Sequence, residues 1–513
     1  MYVITAPHSP GIITELDITG PPHRIPAIET LSGDVLLEIF DLCLVKDKEI
    51  YPWRDRDTDG RDPYDGWYTL AHVCRSWRYV VFASPRRLNL RLHCSQRRVR
   101  EMLCIWPAFP IVIWDSRDFL SDDDNIISAL EHRDRVCEIK LRRLTCPRVE
   151  KLVPFLQKSF PALTKLSLEI DYDELDNDDQ LPYPNLPDLL LGGSAPHLRS
   201  LCLSSMIFPT LPKFLLSASN LVYLYLHTTP YGYFSSETVA ALSALSKPRV
   251  MHILFMESYS LDEVPAPAPL TRSVLPALNF LELSGVGVYL DDFVGRIDVP
   301  SINYLEIGIS RASRPLEPPE SFHDFFHLPQ FIGRVETLLA FDFARFHLST
   351  YHMDVTFSSL RRTHGSPPRA LRLDLSFVGD GLLPALVEAC ETSLLPHSNI
   401  EKLHISARGS YWDSQPDSAD AAQWLEFLRH FSSAKSLYLG SRYFVPTVAF
   451  ALKQATEEGI TGVLPAIQKL TVCGSLPAGA DREAIEQFVA ARGLSSVFET
   501  PASSRWRIRA QDT

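Results

Sequence analysis

Leu221-Val222-Tyr223-Leu224-Tyr225-Leu226 decides how this chain is read. Its last two leucines are two residues apart, so on a strand they point to one side. Tyr223 and Tyr225 then point to the other side. The first leucine closes the preceding turn. The pattern returns as Leu163-Thr164-Lys165-Leu166-Ser167-Leu168 and as Leu198-Arg199-Ser200-Leu201-Cys202-Leu203. It returns again as Leu278-Asn279-Phe280-Leu281-Glu282-Leu283 and as Ile302-Asn303-Tyr304-Leu305-Glu306-Ile307, with later copies starting at Ile400, Ala434 and Ile467. One such unit cannot bury its own apolar face, but stacked units share a continuous core. The repeat therefore predicts an α/β solenoid with parallel strands on the concave face and helices on the convex face. Solenoids are more often recognition surfaces than reaction vessels.

Register assigns the concave positions. They are Tyr223, Tyr225 and His227, then His252, then Phe280 and Glu282, then Tyr304 and Glu306. Arg372 and Asp374, Lys402 and His404, and Tyr438 follow. Tyr223, Tyr225, Phe280 and Tyr304 fall in nearby repeats. Exposed aromatics of this kind can anchor a partner; alternatively, the long loops flanking the strands cover them. Amphipathic stretches between the strands predict helices over 149–160, 381–393, 419–432, 445–458 and 482–492. Phe109–Trp114 and Val136–Leu141 read as early, irregular strands, and the spacing is irregular near 250, 335 and 371.

Composition sets limits. Of 513 residues, 45% are hydrophobic and 22% charged, which excludes a disordered chain. The net charge of −12 argues against a general nucleic-acid binder, which would carry a basic face. Nine cysteines with no CxxC pair fit a reducing compartment. No basic-then-apolar leader opens the chain and no apolar run reaches membrane length. The expectation is a cytoplasmic or nuclear protein. Residues 1–24 read as a flexible leader, and 501–513 as a tail.

The segment before the repeats has another period. Ser32 or Asp34 can cap a helix with Val35, Leu36, Ile39, Phe40 and Cys43 on one stripe. A charged insert spans 46–66. A second helix is predicted from Trp67 to about Phe82, carrying Leu70, Val73, Cys74, Trp77, Val80 and Val81, and Ser84-Pro85 ends it.

Two resemblances follow from these residues. The recurring strand unit resembles the leucine-rich repeat family over 95–500, most clearly over 135–475. Residues 25–94 resemble an F-box or F-box-like domain of fungal type. The matching residues are Ile25-Pro26, Leu31 through Phe40, and Leu70-Ala71-His72-Val73-Cys74-Arg75-Ser76-Trp77-Arg78, continuing through Ala83 to Leu90. The insert 46–66 departs from the usual box. The resemblance implies docking onto a Skp1-type adaptor, and through it onto a cullin and RING ligase partner. It implies an SCF-type ubiquitin ligase subunit whose repeats hold the substrate. Two short helices have too little core to hide all their apolar surface, and a partner groove can take the excess. The expected adaptor seam is Ile25, Pro26, Leu31, Val35, Leu36, Ile39, Leu70 and Val73. Trp77 and Val80 are assigned to the module's own core or to its junction with the first repeat.

Other chemistry finds little support. Asp55-x-Asp57-x-Asp59-Gly60 opens like a calcium loop, but position twelve is Gly66 rather than a bidentate carboxylate. His72 and Cys74, on a predicted helix, point in different directions. Gly285-Val286-Gly287 lacks the third glycine and, from sequence, the strand-to-helix setting of a nucleotide loop. The runs Asp122–Asp124 and Asp176–Asp179 read as solvated loops. No metal, cofactor or catalytic residue is expected. Beside the ligase reading stand a repeat scaffold with a silent box and, remotely, an enzyme with a site in the irregular loops.

Overall fold

The computed structural model describes residues 31–44, 70, 72–83, 90–93, 99–105, 109–115, 123–170, 184–230, 236–256, 272–310, 325–335, 341–349, 352–359, 369–376, 382–392, 394–407, 418–440, 445–473 and 479–499. The chain divides after Asn89 into two compact units. Ile25, Pro26, the insert 46–66, the Asp176–Asp179 run and the segments 1–24 and 501–513 lie outside the described residues.

In the first unit, helix α1 spans Gly33–Leu44. Ser32 is its cap: the Oγ accepts the Val35 N–H at 3.4 Å. The stripe Leu36, Leu37 and Phe40 is buried. Helix α2 spans Arg75–Phe82 and contributes buried Val81. The rings of Phe40 and Trp77 lie 4.6 Å apart and hold the two helices together.

The expected single helix from 67 to 82 is corrected here. His72 and Val73 form a turn, and the Val73 N–H bonds to the Leu70 carbonyl three residues back. Cys74 is extended, and its Sγ accepts the Trp77 N–H at 3.4 Å. Cys74 is thus the N-cap of α2, so His72 and Cys74 share no helix. The apolar spacing misled because a 3-4 pattern runs on across a turn and a cap.

The second unit is a mixed α/β body on one sixteen-stranded sheet. The first seven strands follow chain order: β1 (Leu90–His93), β2 (Ile111–Trp114), β3 (Val136–Leu144), β4 (Lys165–Ile170), β5 (Ser200–Ser204), β6 (Tyr223–Pro230) and β7 (Val250–Met256). Leu90–His93, counted above with the helical segment, pairs instead with β2 in this sheet. A two-residue pair, β8 (Ser273–Val274) and β10 (Ile297–Asp298), stands apart. The main sheet continues through β9 (Phe280–Val286) and β11 (Tyr304–Ser310).

Chain order then breaks. Strands β12 (Phe343–Leu348), β13 (His352–Ser358) and β14 (Ala370–Ser376) enter in reverse, so β14 pairs with β11, and β12 with β15 (Lys402–Ala407). The β12–β13 and β13–β14 ladders are antiparallel. The sheet ends with β16 (Ser436–Leu439), β17 (Lys469–Cys473) and β18 (Ser495–Glu499), all parallel. The expectation of a wholly parallel array is corrected at this insertion, which is where the spacing near 335 and 371 was irregular. A hairpin needs only a short connection, whereas parallel neighbours need a crossover.

Burial alternates along the strands. In β4, Leu166, Leu168 and Ile170 are buried, while Lys165, Ser167 and Glu169 are partly exposed. The buried side merges with helical residues into one apolar cluster from Leu92 to Phe488. Those helices are α3 (Val99–Ile105), α4 (Asp123–Leu130), α5 (Cys146–Leu156), α6 (Leu211–Ser217), α7 (Ser236–Ser243), α8 (Gly287–Gly295), α9 (His327–Arg334), α10 (Leu382–Glu391), α11 (Ser418–Arg429), α12 (Val445–Glu457) and α13 (Ala480–Arg492). No helix among the described residues is long and apolar enough to cross a membrane.

Two further expectations change. Strand β9 runs directly into α8, so Gly285-Val286-Gly287 does sit at a strand-to-helix turn. Gly285 has φ +135°, and a Cβ there would meet the Phe255 carbonyl oxygen at 2.5 Å. The glycine serves that close approach. Asp123 and Asp124 open α4 rather than a loop, and Asp123 pairs with Arg148 at 2.7 Å and Lys151 at 3.2 Å.

Candidate functional site

In-register pairing turns the open side of the sheet into rows. Tyr223, Val250, Phe280, Tyr304 and Ala370 are successive cross-strand neighbours. Beside them run Tyr225, His252, Glu282, Glu306, Arg372, Thr356, Arg345, His404 and Tyr438. The expected face residues from Tyr223 to Asp374 are thus brought together on neighbouring strands. Lys402, His404 and Tyr438 lie beyond the β12–β13 hairpin.

The β6–β11 part is an aromatic ladder. Phe280 stacks on Tyr304 with centroids 4.6 Å apart, and His252 tilts against Phe280 at 4.9 Å and Tyr225 at 5.4 Å. Tyr225 also stacks on His227 at 5.6 Å, and His227 Nδ1 meets Ser204 Oγ at 3.3 Å. Two of these positions are less open than their register implied. Phe280 is 6% exposed and His252 3%. Tyr223, Tyr225 and Tyr304 are partly exposed and present the accessible aromatic surface.

The next part is acidic and internally paired. Arg372 Nη1 lies 3.0 Å from Glu306 Oε1, and its Nε donates to Asp354 Oδ2 at 3.0 Å. The Tyr304 hydroxyl donates to Glu306 Oε2 at 2.9 Å. His252 Nδ1 approaches Glu282 Oε2 at 2.7 Å, and His352 Nδ1 approaches Asp374 Oδ1 at 2.9 Å. Burial raises the Glu306 and Asp374 carboxyls above the ordinary range, against the pull of Arg372 and, at Asp374, of His352. Burial alone would lower Arg372, but the Asp354 hydrogen bond and the charges of Glu306 and Asp354 raise it overall. Sequence reasoning missed Asp354 and His352, because the hairpin that carries them has no repeat signature.

On β12 and β15 the charge changes sign. Arg345 is the cross-strand neighbour of His404, and its guanidinium stands over the Phe343 ring at 5.6 Å. His347 Nδ1 meets Ser406 Oγ at 2.9 Å. The His404 ring packs edge-on against Tyr438 at 4.1 Å. Burial first, then Arg345 and His347, lower His404 to about 3. Gly440 leaves these rings their space, since a Cβ there would meet Tyr438 and His404 at 3.1 and 3.2 Å.

The helical unit offers a second surface. Leu31, Val35 and Val73 are 36%, 45% and 58% exposed. Ile39 and Leu70 are partly exposed. Leu36 is corrected: at 2% exposure it belongs to the core, on the same stripe as Phe40. Trp77 and Val80 are partly buried.

Among the described residues, no group of three His, Cys, Asp or Glu side chains is placed to hold a metal ion. No protein-family model matches the chain, and no curated protein sequence matches it.

Proposed function

We propose that this chain is the substrate-recognition subunit of an SCF-type ubiquitin ligase, with a leucine-rich-repeat solenoid behind an F-box-like module. The helical module docks onto a Skp1-type adaptor, and the open face of the sheet is the concave surface that holds a protein substrate. The chain breaks no bonds itself. It supplies proximity and orientation to a ubiquitin-loaded enzyme elsewhere in the assembly, in the cytoplasm or nucleus. The observation that carries the reading is that the apolar side chains Leu31, Val35 and Val73 are exposed while Leu36, Phe40 and Val81 already fill the core. A module this small that leaves such apolar side chains in water has surface to give to a partner. The aromatic and charged open face supports the other half of the reading, since Tyr and Arg are frequent interface anchors.

The test is a pull-down of tagged full-length protein from a eukaryotic lysate, beside the Leu31→Asp, Val35→Asp double variant, blotted for the Skp1-type adaptor and cullin. Both substituted side chains are exposed, so the variant stays folded. Adaptor recovered by the parent and lost by the variant is the expected result. No adaptor with either protein overturns the ligase reading and leaves a repeat scaffold with a silent box.

A further inference from the structure

Charge is segregated on the open face. The open-side positions of β12, β15, β16 and β17 run Phe343-x-Arg345-x-His347, Lys402-x-His404-x-Ser406, Ser436-x-Tyr438 and Lys469-x-Thr471. None is acidic, in a chain of net charge −12. Among the described residues, no carboxylate pairs with Arg345, Lys402 or Lys469. The Nε of Arg345 is buried without a hydrogen-bond acceptor. Arg372 is the contrast: it has two carboxylates within pairing distance.

A buried donor left unpaired costs about 1–3 kcal/mol, and crowded cations add repulsion. An anionic group beside the Arg345 guanidinium offsets the repulsion among Arg345, Lys402 and Lys469. His404 is kept neutral first by burial and then by Arg345 and His347. A guanidinium fork suits a carboxylate, which it can hold through two parallel bonds. Asp354, the cross-strand neighbour of His347, does not serve, because Arg372 already holds it.

We infer that this cationic patch, built from Arg345, Lys402 and Lys469 with the His347 and His404 rings between them, binds an acidic peptide segment with closely spaced Asp or Glu side chains on the captured partner. The inference rests on reading the open face as the partner-binding surface and is independent of adaptor docking. The patch spans four strands, three gaps of about 4.8 Å or about 14 Å in all. A single small anion cannot reach across that width. An extended peptide, rising about 3.3 Å per residue, covers it with about four or five residues. The acidic field of Glu306, Asp354 and Asp374 bounds the segment on the other side. A long polyanion such as nucleic acid would have to cross that field, and a short acidic segment would not.

The experiment is fluorescence anisotropy on full-length protein without any adaptor. The probes are a fluorescein-labelled peptide with Glu at alternate positions and the same peptide with Gln. The Glu peptide binds at low salt, more weakly at physiological salt, and the Gln peptide does not. Arg345→Gln and Lys402→Gln each weaken binding by about tenfold. Lys453→Gln, on helix α12 and paired with Glu457, leaves binding unchanged. Lys402 is exposed, so its replacement tests the patch without threatening the fold. No binding of the Glu peptide at low salt overturns the inference, as does binding that Lys402→Gln and Arg345→Gln leave intact. Because no adaptor is present, a failure here is distinct from a failure of adaptor docking.

Discussion

Phe280 and Tyr304 stack face to face on neighbouring parallel strands, their rings 4.6 Å apart and 3° from parallel. In-register pairing of β9 with β11 produces the stack, and it divides two jobs between alike side chains. Phe280 is buried beneath its neighbours, whereas Tyr304 keeps an accessible edge and holds Glu306. Phe280→Ala should therefore cost about 3 kcal/mol of folding stability, and Tyr304→Ala about 1 kcal/mol. Urea unfolding of the two variants reads the order directly. A larger loss at Tyr304 would mean that the ladder is held from its exposed side.

Arg372 is the shared cation of the acidic field. Arg372→Gln leaves Glu306, Asp354 and Asp374 facing one another across three strands. The pairs are partly exposed, so the cost is about 2 kcal/mol near neutral pH rather than that of a fully buried pair. The pH dependence has a definite sign. Glu306 and Asp374 titrate above their ordinary values in the folded protein, so the fold holds their protons where the unfolded chain has released them. Their contribution to stability falls as pH rises through that window. Loss of Arg372 raises both carboxyls further, so the variant's deficit should shrink between about pH 7 and about pH 5. Chemical denaturation at the two pH values tests this. A deficit that does not change with pH contradicts the electrostatic account.

Much of the sheet was legible because burial imposes a period of two. The leucines of Leu-x-x-Leu-x-Leu must face one way, so Tyr223, Glu282 and Arg372 had to face the other. What the period could not carry is order. Nothing in Phe343–Leu348 or His352–Ser358 says that these strands enter reversed, and so Asp354 and His352, which complete the acidic network, stayed hidden. Nor does a period register depth: Phe280 and His252 hold open-side positions yet are buried. In the helical unit the 3-4 spacing placed Leu36 correctly on the α1 stripe but could not say which members turn inward. It also ran unbroken across Cys74, where the backbone is extended.

That cap yields a direct test. Cys74 uses a thiol for a task that hydroxyl and carboxylate groups do better, because sulfur is a weak acceptor. Cys74→Ser should keep the bond to the Trp77 N–H and stabilise α2 by about 0.5 kcal/mol, while Cys74→Ala should cost about as much. Thermal melts of the parent and the two variants rank them. If alanine and serine behave alike, the Sγ contact contributes nothing to the cap.

His404 supplies the last prediction. In the unfolded chain its imidazole takes a proton near pH 6.5, whereas in the fold it stays neutral down to about 3. A base whose folded value is lowered costs stability as pH falls, because only the unfolded state gains the proton. The loss begins near pH 6.5 and grows by about 1.4 kcal/mol per unit. The ring is partly exposed, which trims the sum to on the order of 2 kcal/mol by about pH 4. The groups that face it are Arg345 and His347 on β12 and Tyr438 on β16, and none is an acid that could offset the effect. His404→Gln should therefore be no more stable than the parent near neutral pH, and more stable than it in acid. The difference between the two urea midpoints cancels the carboxylates they share. Parallel midpoints across the acid range would show that His404 accepts its proton as freely in the fold as out of it.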